Sequence, residues 1–408
     1  MLCRSCKTPL QLEFIDLFNA PASNSFLTKE QLNEPEVFYP LKVFVCDNCF
    51  LVQVDEYKRS EAIFDSNYAY FSSFSTTWLA HSKKYTEMAI RRFGLGKDSL
   101  AVEIASNDGY LLQYFLQKGV PVLGIEPTEN TAQVARQKGI ETITRFFGTG
   151  LARELAEKGI RADLLLGNNV LAHVPDLVDF VAGMKILLKP GGVITMEFPH
   201  LMQLVDNNQF DTIYHEHFSY LSFYTVEQIF AAQGLTLFDV EEIPTHGGSL
   251  RIFGRHAENA TLPVTEHVRA LRAKEQERGI ATPDYYQDFQ RRAFGVKLSL
   301  LQFLIDAKRE RKTVAAYGAA AKGNTLLNYA GVKADLITFV SDANPAKQNK
   351  YLPASHIPVA SEQRIRDERP DYVIILPWNI RDEIGKQLEY IREWGGRFVV
   401  FIPGLEIF

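Results

Sequence analysis

Ala101-Val-Glu-Ile-Ala-Ser-Asn-Asp-Gly109 is the stretch that decides the fold of this chain. Residues 100–105 read as a short buried strand, and residues 109–118 as the helix after it. A turn at such a junction must let main chain approach a ligand, so small residues are favoured there. Gly109 is the one glycine of this turn, with Ala105 and Ser106 in the other small positions. Outward from it, residues 120–125 form a second strand with a helix running through Arg136, and 163–166 and 192–197 continue the series. Strand, helix and strand in this rhythm imply a parallel sheet with helices on both faces.

Two further strand ends fit the first. Gly124-Ile-Glu-Pro127 carries Glu126, an acidic side chain placed to accept hydrogen bonds from ribose hydroxyls, with Pro127 beside it. Asn168-Asn169 follows the next strand, where the cleft of a doubly wound sheet opens. The expected cofactor-binding residues are Glu103, Ser106, Asn107, Asp108, Gly109, Glu126, Pro127, Asn168 and Asn169. The bland alternative for Glu126 is a surface carboxylate at a strand end. A dehydrogenase uses the same fold, but normally shows a fuller glycine fingerprint for a pyrophosphate. Here Asn107 and Asp108 occupy the turn, and acidic character suits the positively charged methionine part of S-adenosylmethionine better than a phosphate.

Cysteine occurs only at Cys3, Cys6, Cys46 and Cys49. Each Cys-x-x-Cys pair can span one edge of a tetrahedron, which suits zinc, and an all-sulfur set leaves no position for water, so the site is expected to be structural. Four unrelated thiols or a redox pair are the competing readings. The chain divides into a small turn-rich unit at 1–60 with little core of its own, a larger α/β unit at 61–262, a charged helical connector at 263–311 and a second, smaller parallel α/β unit at 312–408. Leu298, Leu301, Phe303 and Leu304 recur at helical spacing near the end of the connector. In the last unit, strands are expected at 314–317, 336–341, 372–377 and 397–402, and helices at 322–329 and 381–394.

With 44 basic against 49 acidic residues and a net charge of −5, nothing suggests a nucleic-acid or polybasic membrane surface. No apolar run approaches the roughly 20 residues that cross a bilayer. Arg4, Lys7 and Glu13 interrupt any signal-peptide layout. A cytoplasmic protein, monomeric by default, is expected.

Tyr214-His-Glu-His-Phe218 places titratable groups consecutively after the expected fifth strand. A carbon acid needs a base near neutrality, which His supplies; Glu can orient it and Tyr can hydrogen-bond a developing enolate oxygen. A metal site or a solvated loop remains open, although His215 and His217 lack the spacing of a helical zinc site. His173, at Leu171-Ala-His-Val-Pro175, should face the same cleft as the Asn pair. His246-Gly-Gly-Ser-Leu-Arg251 suits close main-chain approach through Gly247, with Arg251 available for an anion. In the C-terminal unit Tyr317-Gly-Ala-Ala-Ala-Lys322-Gly-Asn324 links a strand to a helix N-terminus, which attracts phosphate. Asp342, Lys347 and Asn349 follow the next strand, and Trp378 and Asn379 a third. Three polar strand ends suggest a nucleotide diphosphate site, with Trp378 either stacked on a base or serving as an interface tryptophan.

The paired cysteines, the Glu-x-x-x-Asn-Asp-Gly turn, Gly-Ile-Glu-Pro, Tyr-x-Glu-His-Phe, His-Gly-Gly, Tyr-Gly-Ala-x-Ala-Lys-Gly, Lys-Gln-Asn and Pro-Trp-Asn together make the chain resemble, along essentially its whole length, the sugar C-methyltransferases acting on nucleotide-linked 4-keto-6-deoxy sugars. The resemblance implies an N-terminal zinc-binding domain, a Rossmann-like class I methyltransferase core binding S-adenosylmethionine, and a C-terminal Rossmann-like domain that helps hold the nucleotide sugar, linked to dTDP or GDP. It implies catalytic roles for Tyr214, Glu216 and His217, with His173 a further site residue. The family commonly has Gly-Cys where this chain has Ala105-Ser106. On that reading the C4 ketone acidifies the C3 proton, His217 removes it with Glu216 in support, Tyr214 or His173 stabilises the enolate oxygen, and C3 takes the sulfonium methyl. An O- or N-methyltransferase on a similar sugar, and a nucleotide-binding protein without catalysis, are the alternatives.

Overall fold

The computed structural model describes residues 1–57 and 71–408, so the expected boundary at 60/61 lies outside the described residues. The N-terminal part contributes β1 (Leu12–Ala20), β2 (Tyr39–Val45) and β3 (Val52–Val54). The central part contributes β4 (Ala101–Ile104), β5 (Val122–Ile125), β6 (Thr142–Ile143), β7 (Ala162–Asn168), β8 (Leu188–Pro199), β9 (Ser219–Tyr220), β10 (Leu235–Ile243) and β11 (Ser249–His256). The C-terminal part contributes β12 (Val314–Tyr317), β13 (Val340–Ser341), β14 (Val359–Ala360), β15 (Tyr372–Ile375), β16 (Arg397–Val400) and β17 (Glu406–Ile407).

The central sheet has seven strands in the order β10-β11-β8-β7-β4-β5-β6. All four residues of β4 are buried, as a strand covered on both faces requires. β4 to β8 run parallel, but β11 is antiparallel to both β8 and β10. The strands read at 100–105, 120–125, 163–166 and 192–197 are thus parallel, and the antiparallel hairpin β10-β11 lies beyond that series. Only residues 244–248 join β10 to β11, and a parallel crossover needs about a dozen residues or more. β4 pairs with β5 on one side and β7 on the other, so the strand order reverses at β4 and a cleft opens at its C-terminal end. The helix expected from Gly109 starts at Leu112 (Leu112–Gln117) because the turn takes up the residues before it.

The N-terminal unit does not stand alone. Its antiparallel sheet has the order β1-β2-β3-β9, and β9 comes from the central part. The Phe14 ring stacks on Phe289 at 4.5 Å and meets Tyr286 edge-on at 5.8 Å. One apolar core joins Val43 and Val52 to Leu300 and Leu304 of the helix Phe289–Arg309 and to Leu326 and Val340 beyond it. The connector, built of helices Glu266–Arg278 and Phe289–Arg309, is therefore a load shared by two units rather than a tether. Leu304 is in that core and Leu301 and Phe303 pack against it, while Leu298 faces outward.

The C-terminal sheet has the order β14-β13-β12-β15-β16-β17, parallel except for β17. The strand expected at 336–341 is confined to β13. The helix expected at 381–394 divides at Leu388 into Arg381–Gln387 and a 3-10 segment Glu389–Trp394. Among the described residues no helix is long and apolar enough to cross a membrane.

Candidate active site

The four cysteines converge. Cys3 Sγ lies 3.5 Å from Cys49 Sγ, and Cys6 Sγ 3.5 Å from Cys46 Sγ; all four sulfurs lie within 4.8 Å of one another. A disulfide would need about 2.05 Å, whereas zinc with sulfur ligands at about 2.3 Å gives a tetrahedral edge near 3.8 Å. The two knuckles share one hydrogen-bond pattern. Lys7 N donates to Cys3 O and Cys3 N to Thr8 O; Phe50 N donates to Cys46 O and Cys46 N to Leu51 O. Lys7 and Phe50 both adopt positive φ to close these loops. Gln53 Nε2 donates to Cys3 Sγ at 3.2 Å. The sulfur set fits a structural zinc.

At the end of β4 the main chain turns through positive φ at Ala105, Asn107 and Gly109. Gly109 sits at φ 73, where any side chain is strained, and a Cβ there would also stand 2.5 Å from Ile140 Cδ1, so its backbone conformation first and its packing second call for glycine. Ala105 N and Ser106 N both donate to Ile125 O. Glu126 Oε2 accepts from Asn107 N at 2.9 Å, and Oε1 accepts from Thr128 N at 2.9 Å, so this carboxylate at the end of β5 also braces the turn at the end of the neighbouring β4, with Pro127 next to it in sequence. Glu103 is fully buried, and desolvation pushes its carboxyl well above the usual range, reinforced by Asp108 and Glu126 and opposed by Tyr110. Lys138 Nζ donates to Asp108 O at 2.6 Å. Ser106 Oγ and Asn168 Nδ2 are buried with no hydrogen-bond partner among the described residues. An acidic cradle with unspent polar atoms at a switch point fits a cationic nucleoside such as S-adenosylmethionine.

Beside it lies a histidine cluster. His217 Nδ1 donates to Thr212 O at 2.9 Å and His173 Nδ1 to Glu216 O at 2.7 Å; their rings meet edge-on at 4.6 Å. The Tyr214 ring lies 4.0 Å from that of His217. Burial lowers His173 to about 4 and His217 well below its ordinary value, with His173, His246 and Lys322 adding to the latter effect. Asn169, at φ 54, brings Nδ2 within 2.8 Å of His246 Nε2; burial lowers His246 to about 4. Asn169 thus meets His246, and His173 and Tyr214 meet His217, with His246 near enough to His217 to act on its charge.

Several expected residues hold different partners. Both carboxylate oxygens of Glu216 accept from Asn24 Nδ2, at 2.8 and 3.1 Å, and its main-chain carbonyl holds His173. Arg251, read as a binder of a substrate anion, sits on β11 between β10 and β8 and meets the protein's own anions: Glu197 and Glu241, each at 2.9 Å, with Tyr85 under its guanidinium. Glu197 also accepts from His81 and Thr245. Asn324 is buried and donates to Ser23 O at 2.6 Å. Trp378 is an interface tryptophan: Nε1 donates to Asp211 Oδ2 at 2.7 Å, Lys322 Nζ lies 4.6 Å over its ring, and a Cβ on Gly247 would stand 2.4 Å from Cη2. Lys322 Nζ donates to Asn379 Oδ1 at 2.7 Å. Asp342 accepts from Ala319 N and Asn344 N, Lys347 Nζ donates to Ala319 O, and Asn349 at φ 62 donates its main-chain N–H to Val359 O. These last residues form one polar rim at the ends of β12 and β13. Asp211, Asn24 and His81 carry no motif and were not anticipated; their partners are far away in sequence.

Residues 3–64 match a family described as a zinc binding domain, 81–240 a methyltransferase domain, and 244–403 the C-methyltransferase C-terminal domain. The C-methyltransferase NovU of Streptomyces niveus is 35% identical over 401 residues, spanning 98% of this chain and 95% of that protein. A ubiquinone biosynthesis O-methyltransferase of Bartonella bacilliformis is 25% identical over 126 residues, 30% of this chain and 51% of that protein. The crystal structure of 1,6-didemethyltoxoflavin-N1-methyltransferase from Burkholderia thailandensis is 17% identical, covers 51% of this chain and 95% of its own, and superposes with a TM-score of 0.38.

Proposed function

Since the chain belongs to the family of S-adenosylmethionine-dependent C-methyltransferases with an N-terminal zinc-binding domain, we propose that it methylates C3 of a nucleotide-linked 4-keto-6-deoxy sugar, with His217 as the general base. The observation that carries this reading is the His217–Thr212 hydrogen bond. A carbonyl only accepts, so the imidazole carries its proton on Nδ1 and its lone pair on Nε2.

Bound S-adenosylmethionine supplies the electrophilic methyl group. Glu103, Glu126 and the turn from Ser106 to Gly109 hold it at the end of β4, with Pro127, Asn168 and Asn169 lining the same cleft. His217 Nε2 takes the C3 proton that the neighbouring ketone acidifies. His173 is pinned by the Glu216 carbonyl in the same tautomer, so its Nε2 also accepts. Tyr214, against the His217 ring, is then the neutral donor for the enolate oxygen. Glu216 supports the site through its carbonyl and through Asn24. The unit at 312–408 holds the nucleotide diphosphate, linked to thymidine or guanosine, using Lys322, Lys347 and the rim at the ends of β12 and β13; His246 and Gly247 close the sugar side. The units at 1–60 and 263–311 brace the catalytic unit at 61–262.

The test is a thermal-shift screen of dTDP- and GDP-linked 4-keto-6-deoxy sugars, followed by mass spectrometry for a gain of one methylene and deuterium exchange at C3. His217→Asn should abolish both exchange and transfer while S-adenosylmethionine still binds. Full activity in that variant would remove His217 from the role of base, and turnover without C3 exchange would point to a heteroatom acceptor.

A further inference from the structure

Asp211 and Thr212 are consecutive residues of one 3-10 turn, Phe210–Thr212, and they hold different partners. The Thr212 carbonyl fixes His217, while the Asp211 carboxylate accepts a hydrogen bond from Nε1 of Trp378 in the C-terminal unit. Asp211 has no exposed surface. Burial pushes its carboxyl up to about 6 although Lys322 and Trp378 both act the other way, so a hydrophobic residue would be easier to accommodate there. Trp378 is also held by the close approach of Gly247, from the β10–β11 connection of the central part, and on its own side by Lys322 over its ring. A second tie reaches the same loop, from Thr325 Oγ1 to Ile213 O at 3.0 Å.

We propose that Asp211 is a positioning residue that carries the seating of the C-terminal unit, through Trp378, to the aim and tautomer of His217 by way of the Thr212 carbonyl. The inference rests on His217 being the base. Without that carbonyl in place the imidazole can carry its proton on Nε2 instead, which removes the lone pair that faces the substrate. Loss of aim matters as well, since a shift of about 1 Å in a reacting group costs on the order of a hundredfold in rate.

The experiment is nitrogen-15 NMR of histidine-labelled full chain with S-adenosylhomocysteine bound, the His217 signals being identified by their loss in His217→Asn. The unsubstituted protein should show a single Nδ1–H tautomer. Asp211→Ala should show a mixture with Nε2–H, and Trp378→Phe, which keeps the carboxylate and removes only the donor, should do the same if Asp211→Ala fails to fold. Asp211→Asn still accepts from Trp378 and should restore the Nδ1–H form. With dTDP-4-keto-6-deoxyglucose as substrate, kcat should fall about 10- to 100-fold in Asp211→Ala, with the KM for S-adenosylmethionine changed less than about twofold. An unchanged tautomer in both Asp211→Ala and Trp378→Phe overturns the proposal, as does Asp211→Asn behaving like Asp211→Ala. Methyl transfer persisting in His217→Asn would instead defeat the reading of the base, whatever the tautomers show.

Discussion

His217 Nδ1 lies 2.9 Å from the carbonyl oxygen of Thr212, and this bond leaves Nε2 of the neutral imidazole unprotonated. Loss of water around the ring is the chief reason its pKa falls well below 6.5, with His173, His246 and Lys322 acting the same way and the Thr212 carbonyl opposing them. A base works in its neutral form, so activity should be lost only as pH falls through that lowered value. The acid limb of kcat/KM is therefore expected below pH 6.5, with a plateau above it. A pH–rate profile checks this, and an acid limb at or above about 7 would mean that a different, less buried group removes the proton.

Zinc removal should reach the active site. β3 pairs with β9, and β9 begins two residues after His217. Tetrathiolate zinc contributes on the order of 10 kcal/mol of apparent binding free energy in small domains. Cys49→Ser, or treatment with a strong chelator, should release the metal, lower Tm and reduce activity together, followed by metal analysis and calorimetry. Activity that survives complete loss of zinc would separate the N-terminal sheet from the catalytic loop.

What the sequence made legible was local. A strand, a turn and a helix start are encoded within a few residues, so the strand ends at Glu103 to Gly109, Glu126 and Asn168-Asn169 could be placed directly. Paired cysteines three positions apart in the turn likewise declare a metal knuckle. The rest depends on contacts between distant segments. Asn24 meets Glu216 across 192 residues, and Asp211 meets Trp378 across 167; neither has a local signature. Arg251 looked available because its partner Glu197 belongs to a neighbouring strand whose pairing, β8 against β11, is set by the antiparallel hairpin that periodicity did not reveal. The sharing of β9 by the N-terminal sheet was hidden for the same reason.

Phe289→Ala should destabilise more than one unit. Phe289 has no exposed surface and stacks on Phe14 at 4.5 Å with the rings almost parallel, at the seam between the N-terminal sheet and the helix that also packs against the C-terminal unit. A buried Phe→Ala change costs about 3–5 kcal/mol. Urea unfolding followed by a probe in the N-terminal sheet and by another in the C-terminal unit should shift to a lower midpoint in both. A shift confined to one probe would show that the core spanning these units does not unfold as one.

Ala105→Gly tests the cradle from the opposite direction, as a stabilising change. Ala105 sits at φ 58, in the left-handed region, while its N–H donates to Ile125 O at 2.7 Å. The Cβ in that conformation costs about 1–2 kcal/mol, and glycine gives back about 0.4–1 kcal/mol through the greater freedom of the unfolded chain. The balance favours glycine by up to about 1.6 kcal/mol, seen as a higher urea midpoint at unchanged slope. Because the turn keeps its main-chain hydrogen bonds, S-adenosylhomocysteine should bind at least as tightly by calorimetry. Ala105→Val, which adds branching to the same positive φ, should weaken both stability and binding. A glycine variant less stable than the parent would mean that the packing of the Ala105 methyl outweighs its backbone strain.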